Sequence, residues 1–456
     1  MTMAGELFAT NTRAVAPPVS GGGKLTLFLL ALVIVVIAEA IGNVSIPVGA
    51  GKIVLLPLLW ALLLGGALGL MSPRLPATLR LSGALQNAAG AYLQPALLIF
   101  IAKLGLLVGG SLPKIMASGW ALAFQEFGHF FGTMVFGLPV ALLLGIKREA
   151  IGATFSVGRE PSLAIIGERY GMDSPEGRGV LAEYLTGTVF GAVFIALLAG
   201  LITSLGLFNP LALAMGAGVG SGSMMAAASG AIAAQQTPEV AKDVATFAAA
   251  SNLVTTTIGT YFTLFLSLPF TIWAYGKLEP ILGRNRADAA RAAEADPQAA
   301  APAHPEARIG LGETVLAWIL IGAYGLIGNW LTYGVVPDAQ VVAGMAIIIG
   351  TVLAGWGLYL LLGRRLPAVL WVSIIGMALT YPGTPHAAEI AALTGKLNFL
   401  ALATPILTFA GLSVAKDVPA FRRLGWRIVV VSFMANAGTF LGAVLIAQFF
   451  MHPPLG

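Results

Sequence analysis

Cysteine is absent from the 456 residues, and histidine occurs only four times. Disulfides, thiol nucleophiles and cysteine-based metal sites are therefore excluded. Charged residues make up 10% of the chain, far below what a water-soluble protein of this length carries. An HExxH zinc helix and a GxxxxGK phosphate loop are also missing. The ASG at 228–230 resembles a serine nucleophile turn only loosely, and no second catalytic group has a supported position beside it. The chain is therefore not expected to be an enzyme or to hold a cofactor or metal.

Apolar residues dominate instead, at 57% with a mean hydropathy of +0.88, alongside 57 glycines and 26 prolines. This composition predicts an all-α polytopic membrane protein whose helices pack closely and break in places. Residues 1–24 are polar and read as a disordered cytoplasmic tail. The run 25–41 ends in Ala38-Glu39-Ala40, which imitates a signal-peptidase site, but the 24-residue leader is long for one and a retained helix is expected. Further spans are expected at about 52–71, 88–110, 120–144, 150–170 (broken), 179–206, 209–234 (broken), 245–275, 312–332, 339–363, 367–381, 398–415 and 426–451, making 13. The charged, Ala/Pro-rich stretch at 276–311 reads as a cytoplasmic linker. If all 13 spans cross, 17 of the 25 Lys and Arg residues fall on the side of the N-terminus and six on the other, which predicts an N-in, C-out chain.

Self-comparison gives the strongest signal. At a constant offset of 306, Gly105, Leu106, Val108, Pro113, Gly119, Trp120, Phe127, Gly132, Thr133 and Ala141 match Gly411, Leu412, Val414, Pro419, Gly425, Trp426, Phe433, Gly438, Thr439 and Ala447. Trp60, Gly65, Ala67 and Leu68 match Trp371, Gly376, Ala378 and Leu379 at an offset of 311. The expected orientations make these repeats inverted. A fainter pair joins 157–198 to 219–266. If every central span crosses fully that pair is parallel, and the uncharged loop near Asn209 leaves its orientation open.

Two interrupted segments carry the candidate chemistry. The first, Ser156 to Ser162, places Gly158, Arg159, Glu160 and Pro161 between apolar runs. A proline removes an amide donor, and charged groups at bilayer depth are costly unless they face a site; an aqueous loop is the alternative. The second, GAGVGSGS at 216–223, sets Gly220, Ser221, Gly222 and Ser223 where a helix should continue. Exposed amides and a half-helix N-terminus there favour an anion, while close helix packing is the plainer reading. Asn252 and Thr255 to Thr257 form a polar band on the next span, with Glu183, Thr186 and Thr188 at corresponding positions on the sixth. Glu126 and His129, three residues apart, lie near one helical face and suit a proton relay, although a lone intramembrane histidine also serves structure alone.

The order of these parts, GLLVGGSLPKIMASGW, a broken span, a GSGS-containing broken span, TPEVAKDVATFAAASNL and a terminal GLSVAKDVPAFRRLGWR span, resembles the cation/proton antiporter and anion transporter superfamily, of bile-acid-symporter-like fold, in a bacterial inner-membrane branch. The resemblance covers about 90–456 and implies an elevator-type secondary transporter with two discontinuous helices in a moving core and a dimerising scaffold. The antiporter branch's paired aspartates are not found here. The domains expected are the tail 1–24, scaffold repeat 25–144, core 150–275, linker 276–311 and scaffold repeat 312–456.

The expected function is coupled transport of a small organic anion, a carboxylate, with a proton or sodium ion. Ser156, Gly158, Arg159, Ser162, Gly220, Ser221, Gly222, Ser223, Asn252 and Thr256 would hold the substrate, and Glu160, Glu183, Glu126 and His129 would handle protons. Cation/proton antiport through Glu160, a channel or a structural membrane protein are the alternatives. The lipid bilayer and a second copy of the chain are the expected partners, and no nucleic acid is.

Overall fold

A computed structural model describes residues 21–48, 51–76, 80–117, 120–171, 174–283, 309–363, 368–416, 418 and 425–451. Among these, seven helices are long and apolar enough to cross a membrane, eight if one bent pair counts as a single span. The chain is a helical, polytopic membrane protein.

It begins with α1 (Gly21–Ile41), an antiparallel hairpin of β1 (Val44–Val48) and β2 (Gly51–Leu55), then α2 (Pro57–Met71), α3 (Gly83–Ala117) and α4 (Ala121–Leu143). The β-hairpin takes residues that hydropathy alone gives to the second span. Val44, Ile46 and Val48 repeat with period two, and Val44 pairs with Leu55. The first interrupted segment is α5 (Glu149–Thr154) and α6 (Arg159–Tyr170), after which α7 (Pro175–Thr186) runs through a π-helical turn into α8 (Ala192–Ser204). The second is α9 (Pro210–Gly218) and α10 (Gly222–Ala233), followed by α11 (Pro238–Phe262), another π-helical turn and α12 (Leu268–Leu282). The rest comprises α13 (Leu311–Tyr333), α14 (Ala339–Leu361), α15 (Ala368–Thr380), α16 (Ala387–Gly395), α17 (Phe399–Val414) and α18 (Trp426–Phe450), with α16 and α17 bent by 60°.

Proline heads α2, α7, α9 and α11, where its missing N–H is not needed. Ser174, Asn209 and Ser221 cap α7, α9 and α10 by accepting the N–H of Gly177, Leu211 and Met224. Two expected boundaries move. Helix α1 already includes Gly21 to Lys24, and α12 continues to Leu282 instead of stopping at 275. Residues 1–20 and 284–308, the bulk of the expected tail and linker, lie outside the described residues.

Glycine sets the closest helix contacts. A Cβ on Gly132 would stand 2.1 Å from the Gly438 carbonyl oxygen, and one on Gly438 2.2 Å from that of Gly132; for Gly128 and Gly442 the distances are 2.0 and 2.2 Å. As residue numbers rise on α4 they fall on α18, so the two helices run antiparallel. The hydroxyls of Thr133 and Thr439, partners at the 306 offset, bond each other across this contact. A Cβ on Gly65 would meet Leu412 N, Thr408 O and Gly411 C of α17 at 3.0, 3.0 and 3.2 Å. One on Gly376 would meet Leu106 N, Ala102 O and Gly105 C of α3 at 3.0, 3.2 and 3.1 Å. Each of those α3 atoms is the 306-offset counterpart of its α17 equivalent. Among the described residues, α4 and α18 pack with α5, α9 and each other instead of with α1–α3 or α13–α17. Helix α3, in contrast, packs on α15, α17 and α11.

Neither interrupted segment runs from one end of the molecule to the other. Arg148 pairs with Glu176 at 2.7 Å and Arg178 with Glu149 at 2.8 Å, so the start of α5 and the start of α7 share one end. Helix α6 therefore returns to the end from which α5 came. In the second segment, Gly191 lies against Met224 and Gly200 against Ala231 and Gln235, so α10 runs in the same direction as α8. Gln235 Nε2 donates to Gly200 O at 2.8 Å, and the Asn209 N–H to Gln448 Oε1 at 2.8 Å, which puts both ends of α9–α10 beside the C-terminal ends of α8 and α18. The expectation that 150–170 and 209–234 each cross fully is overturned: both are hairpins. The continuous α7–α8 helix joins the open end of one hairpin to that of the other, so they enter from opposite ends.

Candidate functional site

The two hairpin tips are the non-helical residues Phe155 to Gly158 and Val219 to Ser221. Thr154, which ends α5, fills the gap between Gly137 of α4 and Ala435 of α18, and Gly216 of α9 abuts Phe440 and Val444 of α18. Ala435 and Phe440 are five residues apart, roughly 8 Å along the helix, so the tips flank the Gly132–Gly438 crossing.

At the first tip, Ser156 Oγ accepts the Gly158 N–H at 3.0 Å. A Cβ on Gly158 would stand 3.2 Å from Ser156 Oγ and 3.4 Å from Ser162 Oγ, so the two hydroxyls frame one glycine. Among the described residues, Ser162 Oγ is buried without a hydrogen-bond partner. Ser267 donates to the Phe155 carbonyl and fixes the tip from the π-helical turn after α11. Helix α6 begins at Arg159, so the expected break is shorter than Ser156 to Ser162. The side chains of Arg159 and Glu160 lie outside the described residues.

At the second tip Gly220 has φ +95°, a conformation that favours glycine. Asn252 Nδ2 donates to Gly218 O at 2.8 Å and to Gly220 O at 3.2 Å, and Ser251 Oγ to Met215 O at 2.7 Å. Ser221 and Ser223 hydroxyls stand 3.2 Å apart. Gly222 and Ser223 belong to the first turn of α10, not to the break. Asn252 and Ser373 are the polar members of an otherwise apolar pocket between α3, α11 and α15. Thr256 does not join the tip: it is exposed, and its hydroxyl returns to Asn252 O at 2.8 Å.

Two of the expected proton-handling carboxylates are buried beside the hairpins. Glu126 receives Gln125 Nε2 at 2.7 Å and the Thr255 hydroxyl, with His129 Nδ1 at 3.3 Å. Glu183 of α7 receives Asn436 Nδ2 of α18 at 3.4 Å. One site thus bridges α4 to α11 and the other α18 to α7. Reasoning from sequence missed Ser251, Ser267, Gln125 and Asn436. Ser267 and Asn436 are isolated polar residues in apolar runs, where back-bonding to the preceding turn is the default, and Ser251 and Gln125 stand beside Asn252 and Glu126, which are the more obvious candidates.

Fold and site define a helical membrane protein built around two opposed hairpins. The chain belongs to DUF3100, a family of proteins of unknown function, whose family model matches residues 36–277 and so spans both hairpins. No curated protein and no solved structure matches it.

Proposed function

We propose that this protein is a secondary active transporter of a small organic anion, a carboxylate, driven by a proton or sodium ion in a bacterial inner membrane. One observation carries the reading: hairpins entering from opposite ends bring two serine- and glycine-bearing tips to the same crossing, each followed by a 12-residue helix whose N-terminus faces the tip. Free N–H groups and the helix dipole favour a negative ligand there. Non-helical backbone at membrane depth is tolerated where it lines a protein-walled site.

The hairpins also support an inverted-repeat core, with α5–α8 entering from the N-terminal side and α9–α12 from the other. Arg169 and Arg178 then join the basic, cytoplasmic end, leaving Lys52, Lys114, Lys242 and Lys396 opposite, in keeping with an N-terminus inside. In this reading α4–α12 and α18 move as the transport domain against α1–α3 and α13–α17, which form the dimerising scaffold of an elevator. Purified protein in liposomes should accumulate at least one member of a panel of labelled mono- and dicarboxylates against its gradient when a proton or sodium gradient is imposed. Flux only down the anion's own gradient would make it a channel, and no flux of any carboxylate would sink the reading.

A further inference from the structure

We propose that Glu126 and His129 bind and release the coupling proton, and that Thr255 and Asn252 pass the charge state of this pair to the tip of the α9–α10 hairpin. The inference rests on the transport reading and narrows its coupling ion to a proton. Glu126 and His129 are 1% and 2% exposed. Every polar group described against the carboxylate is a donor or the imidazole: the Gln125 amide nitrogen at 2.7 Å, the Thr255 hydroxyl, and His129 Nδ1 at 3.3 Å. Both donors and the imidazole are placed to stabilise a proton shared on this carboxylate.

The histidine supplies the movable proton. Its Nδ1 faces Glu126, whereas Nε2 is buried with no partner among the described residues. The ring stacks on Phe130 with centroids 4.4 Å apart, and Phe130 in turn stacks on Phe262 of α11. A proton taken from water on one side of the membrane onto Nε2, and returned to water on the other, breaks no hydrogen bond within the pair. With Nε2 protonated the pair is net neutral; without it the pair carries one negative charge at bilayer depth, which is costly.

Other charges stay at the ends of the packed helices. Helix α4 packs against α5, α9, α11, α12 and α18. Glu149 of α5 is paired with Arg178, and Glu279 of α12 with Lys147. Tyr275 and Lys277 lie within four residues of Glu279 in the closing turns of α12. Glu239, Lys242 and Asp243 open α11, and Arg427 opens α18; α9 has no titratable group. The Tyr261 side chain of α11 lies outside the described residues.

Transmission runs through one turn of α11. Thr255 is three residues from Asn252, whose amide holds Gly218 O and Gly220 O. When the pair is negative, no imidazolium charge offsets the carboxylate and it draws more strongly on the Thr255 hydroxyl, holding α11, and the tip bound to it, in place. When the pair is neutral, that hold relaxes.

Hydrogen exchange on the purified full-length protein tests this, with peptides spanning 215–225 followed at about pH 5 and about pH 8 and corrected for the chemical exchange rate. Wild type should open about tenfold more readily at the lower pH, the difference between a hydrogen bond to an uncompensated charge and one to a charge that an adjacent imidazolium neutralises. Glu126→Gln and His129→Gln should each abolish that difference. Thr255→Val, which leaves the pair intact and guards against a misfolded Glu126 variant, should abolish it too. A difference that survives all three substitutions overturns the proposal. So does tip protection in wild type that depends on sodium chloride over choline chloride and is lost in Glu126→Gln. Failure of the transport reading shows separately, as absence of carboxylate flux in liposomes, whatever the exchange result.

Discussion

Asn252 is the side chain that converts an interrupted helix into a defined tip. Replacing it with leucine keeps the volume and removes the donor to Gly218 O and Gly220 O. Buried carbonyls left without a donor cost about 1 to 3 kcal/mol. Asn252→Leu should therefore lower the thermal midpoint by a few degrees and speed exchange at 215–225, and an unchanged midpoint would show that the tip holds itself. Arg159 opens α6 at the other tip, where a guanidinium suits a carboxylate through two hydrogen bonds. Arg159→Ala should weaken anion binding roughly 30- to 150-fold, about 2 to 3 kcal/mol, and Arg159→Lys should weaken it less. Lower stability with unchanged affinity would assign Arg159 to the frame instead. Ser156, Gly158 and Gly220 were legible in the sequence because glycine and serine stand out from an apolar run. Thr255 and Thr256 were not separable: both are hydroxyls on one helix, and only packing decides that Thr255 reaches Glu126 while Thr256 faces outward.

At the scale of elements, hydropathy finds a 20-residue apolar segment with a break but is blind to whether the chain crosses or turns back. A crossing helix and a hairpin of two half-length helices have the same composition. The deciding contacts, Arg148 with Glu176 and Asn209 with Gln448, join residues 28 and 239 apart. The absence of native cysteine makes the hairpins directly testable. Single cysteines at Arg148 and Arg169 should both react with a membrane-impermeant maleimide from the side of the N-terminus, and those at Leu207 and Thr237 from the opposite side. Labelling of Arg169→Cys from the side of Leu207→Cys would restore the crossing topology. The 306 offset matched Gly132 with Gly438 as equivalent positions, but nothing in the sequence said that they touch. A Cβ on either glycine meets the other's carbonyl oxygen at 2.1 or 2.2 Å. Gly132→Ala and Gly438→Ala should therefore destabilise the protein by similar amounts, about 1 to 3 kcal/mol each, read as matched losses in thermal midpoint.

Across the whole molecule the contact of α2 with α17 matches that of α15 with α3, but the two hairpins are held differently. Gly65 and Gly376 meet equivalent backbone atoms, yet among the described residues it is the α9–α10 hairpin that packs against the first and last helical groups. Gly222 lies against Leu97 of α3, and Gly230 against Leu400 of α17 and Leu58 of α2. Among the described residues, α6 packs chiefly on α7, and α5 on α4, α7, α12 and α18. In the transport reading this arrangement has the hairpin on the side away from the N-terminus closed against the scaffold, with the other left clear of it. Transport then requires α10 to leave α3, and a covalent link between them should stop the cycle. A Cβ at Gly222 would stand 2.5 Å from Leu97 Cδ1 and 3.4 Å from its Cγ, so cysteines at these facing positions are the pair to cross-link. With no other cysteine in the chain, Leu97→Cys/Gly222→Cys should lose carboxylate uptake on oxidation and regain it on reduction, while each single variant stays insensitive to both. A cross-linked protein that transports at the rate of its reduced form would show that α10 and α3 travel together, and would rule out this division into moving and fixed parts.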